Sequence, residues 1–234
     1  MRYLIKFTKG ESLKFISHLD LLRTVQKVGK RSDLPVEYTK GYNPHMMFVI
    51  ALPLSVGVYS DGDYADLYLT EDVDCDEVLE KLNANSARGI TFLKASKTPI
   101  IMDVRRVPQA MALLDMATYI IKIRYNDVSN LDEDMKNFIE MPEYNTMKKT
   151  KKSEKMTDIK PFIKEFSYKI EDNILVIDTM ICCGSRETLS PSLLARFIRL
   201  NTSNTTVGAF IDIKRIEMFG YKEEVLVPLY KYID

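Results

Sequence analysis

The order of the periodic segments is the feature that most constrains how this chain can fold. Over residues 1–98, segments of alternating apolar and polar side chains and segments with helical spacing follow one another as strand, helix, strand, strand, helix, strand. That order is the signature of the split β-α-β arrangement of ferredoxin-like domains. Residues 1–98 are therefore predicted to form a ferredoxin-like unit with an antiparallel sheet.

Cap and turn residues delimit the elements of this first unit. Ser17 predicts a helix N-cap, with Asp20 three residues later as its capping-box partner. The Ser-Asp-Gly-Asp stretch at residues 60–63 predicts a turn between two strands. The predicted strands cover residues 2–8, 46–56, 64–69 and 90–95, and the predicted helices run from Ser17 to about Arg31 and over residues 74–83.

A similar order returns in the second half, with an insertion. Residues 99–116 are predicted to be a connector with a short helix. The elements predicted after it are strands at residues 117–125, 143–152, 166–170, 174–181 and 210–219, helices at residues 132–140 and 191–200, and a helical turn at residues 158–163. The predicted fold class is therefore α+β, with two tandem ferredoxin-like units at residues 1–98 and 117–234, the second carrying a basic insertion.

Charge is distributed in blocks, although 33 basic and 33 acidic residues balance over the whole chain. Residues 1–58 carry nine Lys or Arg and four Asp or Glu, whereas residues 59–98 carry four and nine. Residues 148–164 carry seven and two. Separated blocks create local fields, and a basic block suits a polyanion. An ordinary solvated face is the alternative explanation for each block.

The helix after Ser17 is predicted to have an apolar face and an opposite basic face. The apolar face consists of Leu21, Leu22, Val25 and Val28, and the basic face consists of Arg23, Lys27, Lys30 and Arg31. Cations on one exposed face can hold phosphates, and Lys40 follows nearby. Lys148 and Lys149 are predicted either to make a second phosphate contact or to protect an exposed edge strand.

A stiff polar loop is predicted between this helix and the next strand. Its residues are Lys40, Gly41, Tyr42, Asn43, Pro44 and His45. Gly41 permits a positive φ, Pro44 fixes its own φ, and Asn43 is driven toward an extended conformation by the following proline. In such a loop Tyr42 can stack on a base and Asn43 can hydrogen-bond to one.

The chain has two histidines, and each belongs to one of these motifs. His18 follows the N-cap Ser17, and His45 ends the loop. Either imidazole could act as a general acid or base, or could hold local structure through a hydrogen bond. Two histidines with scattered carboxylates do not form a recognisable zinc site, and no glycine-rich phosphate loop is present. No metal or cofactor is therefore predicted.

The compartment is predicted from apolar runs and cysteines. No apolar run approaches the roughly 18 residues of a membrane span, and the first seven residues predict a strand rather than a signal peptide. Cys75, Cys182 and Cys183 lack metal-ligand spacing, and their odd number suits reduced thiols. These features predict a soluble cytoplasmic protein that does not associate with a membrane.

Several segments together carry a resemblance to a known family. They are Phe-Ile-Ser-His-Leu-Asp-Leu at residues 15–21, the basic helix, Leu34-Pro35, Gly-Tyr-Asn-Pro-His at residues 41–45, and Ala-Leu-Pro-Leu-Ser-Val-Gly at residues 51–57. The chain resembles the radical-SAM-linked family, domain of unknown function 2344, most strongly over residues 1–70. Where that family is expected to have an arginine before a later proline, this chain has Ser190.

The resemblance implies a bacterial cytoplasmic protein that works with a radical S-adenosylmethionine (radical-SAM) enzyme encoded nearby or fused to it. This chain has no Cys-x-x-x-Cys-x-x-Cys sequence, so the iron–sulfur cluster would belong to the partner. Tandem ferredoxin-like units also build the CRISPR repeat-processing endoribonucleases. Residues 205–220 lack the glycine-rich loop of those enzymes, since they contain only Gly208 and Gly220.

The leading hypothesis is a non-catalytic accessory module that binds RNA or presents substrate to a radical-SAM RNA-modifying enzyme. Its phosphate contacts would be the basic helix and Lys40, and its base or partner contacts would be Tyr42, Asn43 and His45. One alternative is a metal-independent endoribonuclease that uses His18 or His45. Another is a protein-interaction module whose Gly41–His45 loop docks on the radical-SAM partner.

Overall fold

A computed structural model describes residues 1–98, 107–149, 154–184 and 187–233. The chain forms two compact units. Unit 1 comprises Met1–Asp115 and Arg215–Asp234, and unit 2 comprises Met116–Lys214. This division differs from the predicted one, because residues from Arg215 onward fold with the first half of the chain. Of the predicted connector, residues 99–106 lie outside the described part.

The elements observed in the described residues alternate between strands and short helices. The strands are β1 (Arg2–Lys9), β2 (Phe48–Ile50), β3 (Val58–Tyr68), β4 (Phe92–Lys97), β5 (Met116–Arg124), β6 (Asn145–Lys149), β7 (Glu154–Asp158), β8 (Ile163–Glu171), β9 (Ile174–Cys182), β10 (Asp212–Lys222) and β11 (Val225–Pro228). The helices are α1 (His18–Arg31), α2 (Cys75–Ala84), α3 (Ala110–Leu113), α4 (Leu131–Glu140), α5 (Pro191–Leu200) and α6 (Leu229–Ile233), with 3-10 turns at Glu11–Leu13 and Lys160–Phe162.

Unit 1 is built on an antiparallel sheet. β1 lies between β3 and β4, with Ile5 opposite both Ala65 and Ala95. β2 and β10 both pair with β3, and β11 pairs with β10. The predicted element order of residues 1–98 is confirmed, and the strands of this part are neighbours in the order β4-β1-β3-β2. The fold is thus mixed α+β with mostly antiparallel pairing.

The core of unit 1 lies between its two long helices and one face of the sheet. Tyr3, Ile5 and Phe7 alternate along β1 and are fully buried. The apolar face of α1, with Leu21 and Val25, joins the same buried cluster, as do residues of α2. The predicted amphipathicity of α1 is therefore what attaches this helix to the sheet.

The turn predicted at residues 60–63 is wrong, because β3 runs through it without a break. Glycine and acidic residues favour turns locally, but here Gly62 and Asp63 serve the interior of unit 1, while Asp61 is exposed. A Cβ on Gly62 would lie 2.5 Å from the carbonyl oxygen of Ile216 in β10. Asp63 is buried against Arg215. The predicted strand at residues 46–56 is likewise shorter, since only Phe48–Ile50 is extended.

Unit 2 contains the strand order β5-β9-β8 and a separate two-stranded ladder of β6 and β7. The predicted turn between β8 and β9 is confirmed, with Asp172 at a φ of 50°. Helix α5 begins with Pro191 at its first position, as predicted. After α5, the part of the chain that belongs to unit 2 contains only residues 212–214 of β10, and the rest of that strand belongs to unit 1. A second ferredoxin-like unit therefore stays a prediction.

Helix lengths also bear on membrane association. Within the described ranges, every helix is too short or too polar to cross a bilayer.

Candidate nucleic-acid interface

The start of α1 is held by the predicted capping pair. Ser17 has an extended backbone, and its Oγ accepts a hydrogen bond from the Asp20 backbone N–H at 3.2 Å. The same hydroxyl donates to Asp20 Oδ2 at 2.7 Å. This hydrogen bond holds the pKa of Asp20 below its ordinary value. The prediction that Ser17 caps the helix with Asp20 as its partner is confirmed.

Loss of this cap is expected to weaken unit 1. Ser17→Ala removes the acceptor for an otherwise unsatisfied N–H, which should lower the free energy of unfolding by about 1 kcal/mol. Urea unfolding followed by circular dichroism measures the change. Ser17→Asn should retain most of the stability because asparagine also caps helices. Ser12→Ala, an exposed serine of the neighbouring 3-10 turn, is the matched control and should change little.

The predicted basic face of α1 is exposed. Arg23 makes an ion pair with Asp20, with Nη1 3.2 Å from Oδ1. Lys27, Lys30 and Arg31 are exposed and make no ion pair with any described residue. Lys30 and Arg31 lie in the final turn, where a positive charge interacts favourably with the helix dipole. The helix therefore presents three uncompensated positive charges to solvent.

The loop predicted to be stiff is closed by hydrogen bonds at its base. The Thr39 N–H donates to the carbonyl oxygen of His45, and the His45 N–H donates to Thr39 Oγ1, both at 2.8 Å. Gly41 adopts a φ of 134°, as its position in the motif predicts. Tyr42 is fully exposed, and Lys40, Asn43, Pro44 and His45 are also exposed. The loop thus presents an unburied aromatic ring from a closed base.

The loop leaves the sheet next to the last turn of α1. A Cβ on Gly29 would lie 3.4 Å from Met46 Sδ and 3.2 Å from Phe48 Cδ1. Met46 directly follows the loop, and Lys30 directly follows Gly29. The absence of a side chain at Gly29 therefore brings the base of the loop close to the basic end of the helix, so both features belong to one region of unit 1.

The two histidines are placed differently. His18 is the first residue of α1, and its Nδ1 is buried without a hydrogen-bond partner in the described part of the chain. His45 is exposed at the loop base. No hydrogen bond among the described residues joins the two imidazoles, so a paired acid and base is not observed. A catalytic role for either histidine stays a prediction.

The second basic segment is engaged within unit 2. Lys148 Nζ donates to the carbonyl oxygen of Thr188 at 2.6 Å and lies 4.4 Å from the centroid of the Phe162 ring. Lys149 pairs with Glu154 through the backbone of β6 and β7, and its side chain lies outside the described part. Residues 150–153 also lie outside it. The described contacts favour a structural role for Lys148.

Sequence reasoning missed a buried charged cluster in unit 1. Asp63 Oδ1 accepts from Arg215 Nη1 at 2.5 Å, and both side chains are at most 2% exposed. Burial raises the pKa of Asp63, and the positive charge of Arg215 opposes that rise. Burial also lowers the pKa of the nearby Lys9. The predicted turn contains Asp63 and the predicted second unit contains Arg215, so the sequence prediction keeps the two residues apart.

Lys9 is the part of this cluster that the sequence could have revealed. It follows Tyr3, Ile5 and Phe7 with the period of two that marks the inward face of a strand. Its Nζ donates to the Val58 carbonyl at 2.9 Å and contacts two carbonyls at 3.4 Å, those of Lys14 and Ile16. The buried ammonium thereby anchors the segment that leads into Ser17.

Potential metal ligands are dispersed over the described ranges, where no three His, Cys, Asp or Glu side chains come together to hold an ion. The candidate site consists of the exposed cations of α1 and the exposed aromatic loop.

Comparison with solved structures includes a match to a crystal structure of an unknown protein from Galdieria sulphuraria, at 10% identity and a TM-score of 0.24. The match covers 92% of this chain and 96% of the other, but a TM-score so low supports no inference about fold or function. No curated protein matches the chain. A family model does match, over residues 2–191. The chain belongs to the family described as uncharacterized proteins conserved in bacteria, DUF2344.

Proposed function

We propose that this protein is an accessory module that binds RNA, or presents it as substrate, for a radical-SAM RNA-modifying enzyme. The observation that supports RNA binding is the exposed face of α1, on which Lys27, Lys30 and Arg31 have no described ion-pair partner. The resemblance to radical-SAM-linked proteins supports the choice of partner. Catalysis would then belong to the partner, and this chain would supply affinity and orientation.

Electrostatics gives the basic face a physical preference for a polyanion. Each cation that meets a phosphate releases condensed counterions, so affinity depends on the salt concentration. Arg23 can add a fourth contact, although Asp20 already offsets part of its charge. The loop that carries Tyr42 is packed near the C-terminal end of α1. Tyr42 offers a ring for stacking, and its neighbours Lys40 and Asn43 are also exposed. Phosphate contacts and base contacts would therefore come from one region of unit 1.

Removal of the unpaired cations tests RNA binding. The triple variant Lys27→Ala, Lys30→Ala, Arg31→Ala should bind RNA more weakly. Its plot of log affinity against log salt should be less steep by about two, since each phosphate contact on a single strand contributes roughly 0.7. Fluorescence anisotropy with a labelled RNA measures both the affinity and the salt slope. The measurement is made between about 50 and 200 mM salt, a range over which phosphate contacts change the affinity strongly.

A matched triple variant separates site from net charge. Lys122, Arg124 and Lys164 are also exposed and belong to unit 2, and their replacement by alanine removes the same number of positive charges without changing α1. This control should keep the wild-type affinity and salt slope. Equal losses in both variants, or no loss in either, would contradict binding at α1.

The partner is tested by purification from the native host at low salt, with ultraviolet absorbance and mass spectrometry of the bound material. Recovery of RNA together with a radical-SAM protein is the expected result. Recovery of a radical-SAM protein without RNA would favour the interaction module instead. That alternative has an observation of its own, since Phe15, Leu19 and Val56 are exposed apolar side chains of unit 1.

The ribonuclease alternative has one supporting observation, which is that His45 is exposed on the same loop as Tyr42. It predicts that the isolated chain cleaves RNA in the presence of chelator, and that His18→Ala or His45→Ala abolishes the cleavage. RNA that stays intact after long incubation would exclude this activity.

The tandem ferredoxin-like architecture is also part of the proposal. Its support is the strand order of β1 to β4 in unit 1 and the repeated order of element types along the chain.

A further inference from the structure

The exposed face of α1 continues past its cations toward the helix N-terminus as an apolar surface. At 100° per residue, Leu19 falls within about 80° of Arg23, Lys27 and Lys30. Leu19 is 59% exposed, and Phe15, just before the helix, is 63% exposed. Both belong to the segment at residues 15–21 that carries the family resemblance, and the structure leaves both largely exposed. Phe15 therefore presents a largely exposed ring three residues before the first residue of α1, where Lys14 Nζ lies 5.7 Å from the ring centroid.

An exposed aromatic ring also lies in the loop that is packed near the C-terminal end of α1. The Tyr42 loop is held near the last turn of α1 by the packing of Met46 against Gly29. Exposed rings thus lie toward the two ends of α1, and unpaired cations lie between them. Stacking platforms that alternate with cations are the pattern by which proteins bind single-stranded nucleic acid.

We propose that the ligand of this face is a single-stranded polynucleotide whose bases stack on Phe15 and on Tyr42 while its phosphates follow α1. This inference rests on the proposed function and specifies its substrate class. A duplex would offer its phosphates to the cations, but its bases are already stacked on one another and cannot meet the two rings. The basic face alone could hold either form of nucleic acid, whereas stacking on Phe15 and Tyr42 requires a single strand.

The length of α1 sets the expected footprint. Fourteen residues span about 21 Å at 1.5 Å per residue. A strand stacked as in a duplex, at about 3.4 Å per nucleotide, covers that distance with about six nucleotides. A strand stretched between two rings needs fewer. Affinity should therefore rise with oligonucleotide length up to about four to six nucleotides and then increase only slowly, within the range known for small single-strand sites.

The absence of tryptophan from the chain allows a direct test of stacking. Phe15→Trp and Tyr42→Trp each introduce the only tryptophan, at an exposed position. The probes are a 12-nucleotide single-stranded RNA, the DNA strand of the same sequence, the RNA duplex and inorganic polyphosphate. Single strands are expected to quench both tryptophans, whereas the duplex and polyphosphate should not. Quenching by the RNA strand but not by the DNA strand would support single-strand stacking with a preference for ribose. Quenching by both strands would support single-strand stacking without a sugar preference.

Phe210 supplies the matched control, because it is 50% exposed but lies in unit 2. Phe210→Trp should not be quenched by any probe. Phe15→Ala should weaken binding of single-stranded RNA roughly five- to 150-fold, the usual effect of losing one stacked base, while Phe210→Ala should leave it unchanged. If Phe15→Ala fails to fold, the tryptophan variants still decide the question.

The possible failures are distinguishable. Unquenched tryptophans at positions 15 and 42, together with a lower salt slope in the Lys27, Lys30, Arg31 variant, would overturn stacking but leave RNA binding at α1 intact. Equal affinity for the duplex and the single strand would do the same. No binding of any RNA by the wild-type protein would overturn both this inference and the proposed function.

Discussion

Replacement of Arg215 by methionine is expected to lower the free energy of unfolding by about 3–5 kcal/mol. Methionine approximates the volume of the arginine stem but removes the guanidinium that contacts Asp63 Oδ1 at 2.5 Å. Asp63 is 1% exposed, and its Oδ2 already has no hydrogen-bond partner in the described part of the chain. The variant therefore leaves a buried carboxylate that is compensated, within the described ranges, only by the Ser60 side chain and the charge of Lys9.

The destabilisation should depend on pH in a defined direction. Burial raises the pKa of Asp63 above its ordinary value of 3.8, and Arg215 opposes that rise. In Arg215→Met the pKa of the folded protein must rise further, so the folded state binds a proton that the unfolded chain releases. As the pH falls toward 3.8, the variant should regain stability relative to the wild type. The difference in unfolding free energy between the wild type and Arg215→Met should therefore be larger at about pH 7 than at about pH 5.

Chemical unfolding at the two pH values measures this effect. Arg124→Met is the control, because Arg124 is exposed and its loss should cost little. Asp63→Asn combined with Arg215→Met should be less destabilised than the two single variants added together, since removal of both charges leaves neither one unpaired. Additive losses, or a difference that is independent of pH, would show that Arg215 does not stabilise the charge of Asp63.

Gly62→Ala is the second change expected to have a large effect, with a loss of about 1–3 kcal/mol. The added Cβ would lie 2.5 Å from the carbonyl oxygen of Ile216 and 3.3 Å from Glu217 Cα. Both are backbone atoms of β10, so a side-chain rotation cannot relieve the contact and the strands must separate. The same measurement of unfolding free energy applies, with circular dichroism to confirm that the variant folds.

Gly29→Ala is the matched glycine control. The Cβ at that position would lie 3.2 Å from Phe48 Cδ1 and 3.4 Å from Met46 Sδ, which are side-chain atoms that can shift slightly. Alanine is also the better helix former by about 0.8–1.0 kcal/mol. Gly29→Ala should therefore cost much less than Gly62→Ala. If Gly62→Ala were as well tolerated as Gly29→Ala, the close approach of β3 and β10 would be in doubt.

The elements that sequence predicted correctly are those specified by near neighbours along the chain. Ser17 and Asp20 cap α1, and Pro191 opens α5, because the groups that satisfy a helix terminus lie within a few residues of it. The turn at Asp172 and the positive φ of Gly41 are likewise set by local backbone preferences. The cations of α1 could be predicted as one face, because helical periodicity alone determines it.

Residues 60–63 show where local preference gives way to tertiary structure. Serine, aspartate and glycine favour a turn, but β10 requires a side chain to be absent at Gly62 and a carboxylate to be present at Asp63. Those requirements come from residues about 150 positions away in sequence. No local pattern can carry that information, and so the turn prediction was wrong.

The candidate site divides in the same way. The sequence by itself determined the basic face of α1 and the positive φ of Gly41 in the aromatic Lys40–His45 loop, because periodicity and backbone sterics act within a few residues. Only the tertiary structure decided that Phe15 and Leu19 remain exposed, that Gly29 admits the loop beside the helix, and that Arg215 folds back into unit 1. Burial and packing depend on contacts between distant segments, and those contacts exist only once the chain has folded.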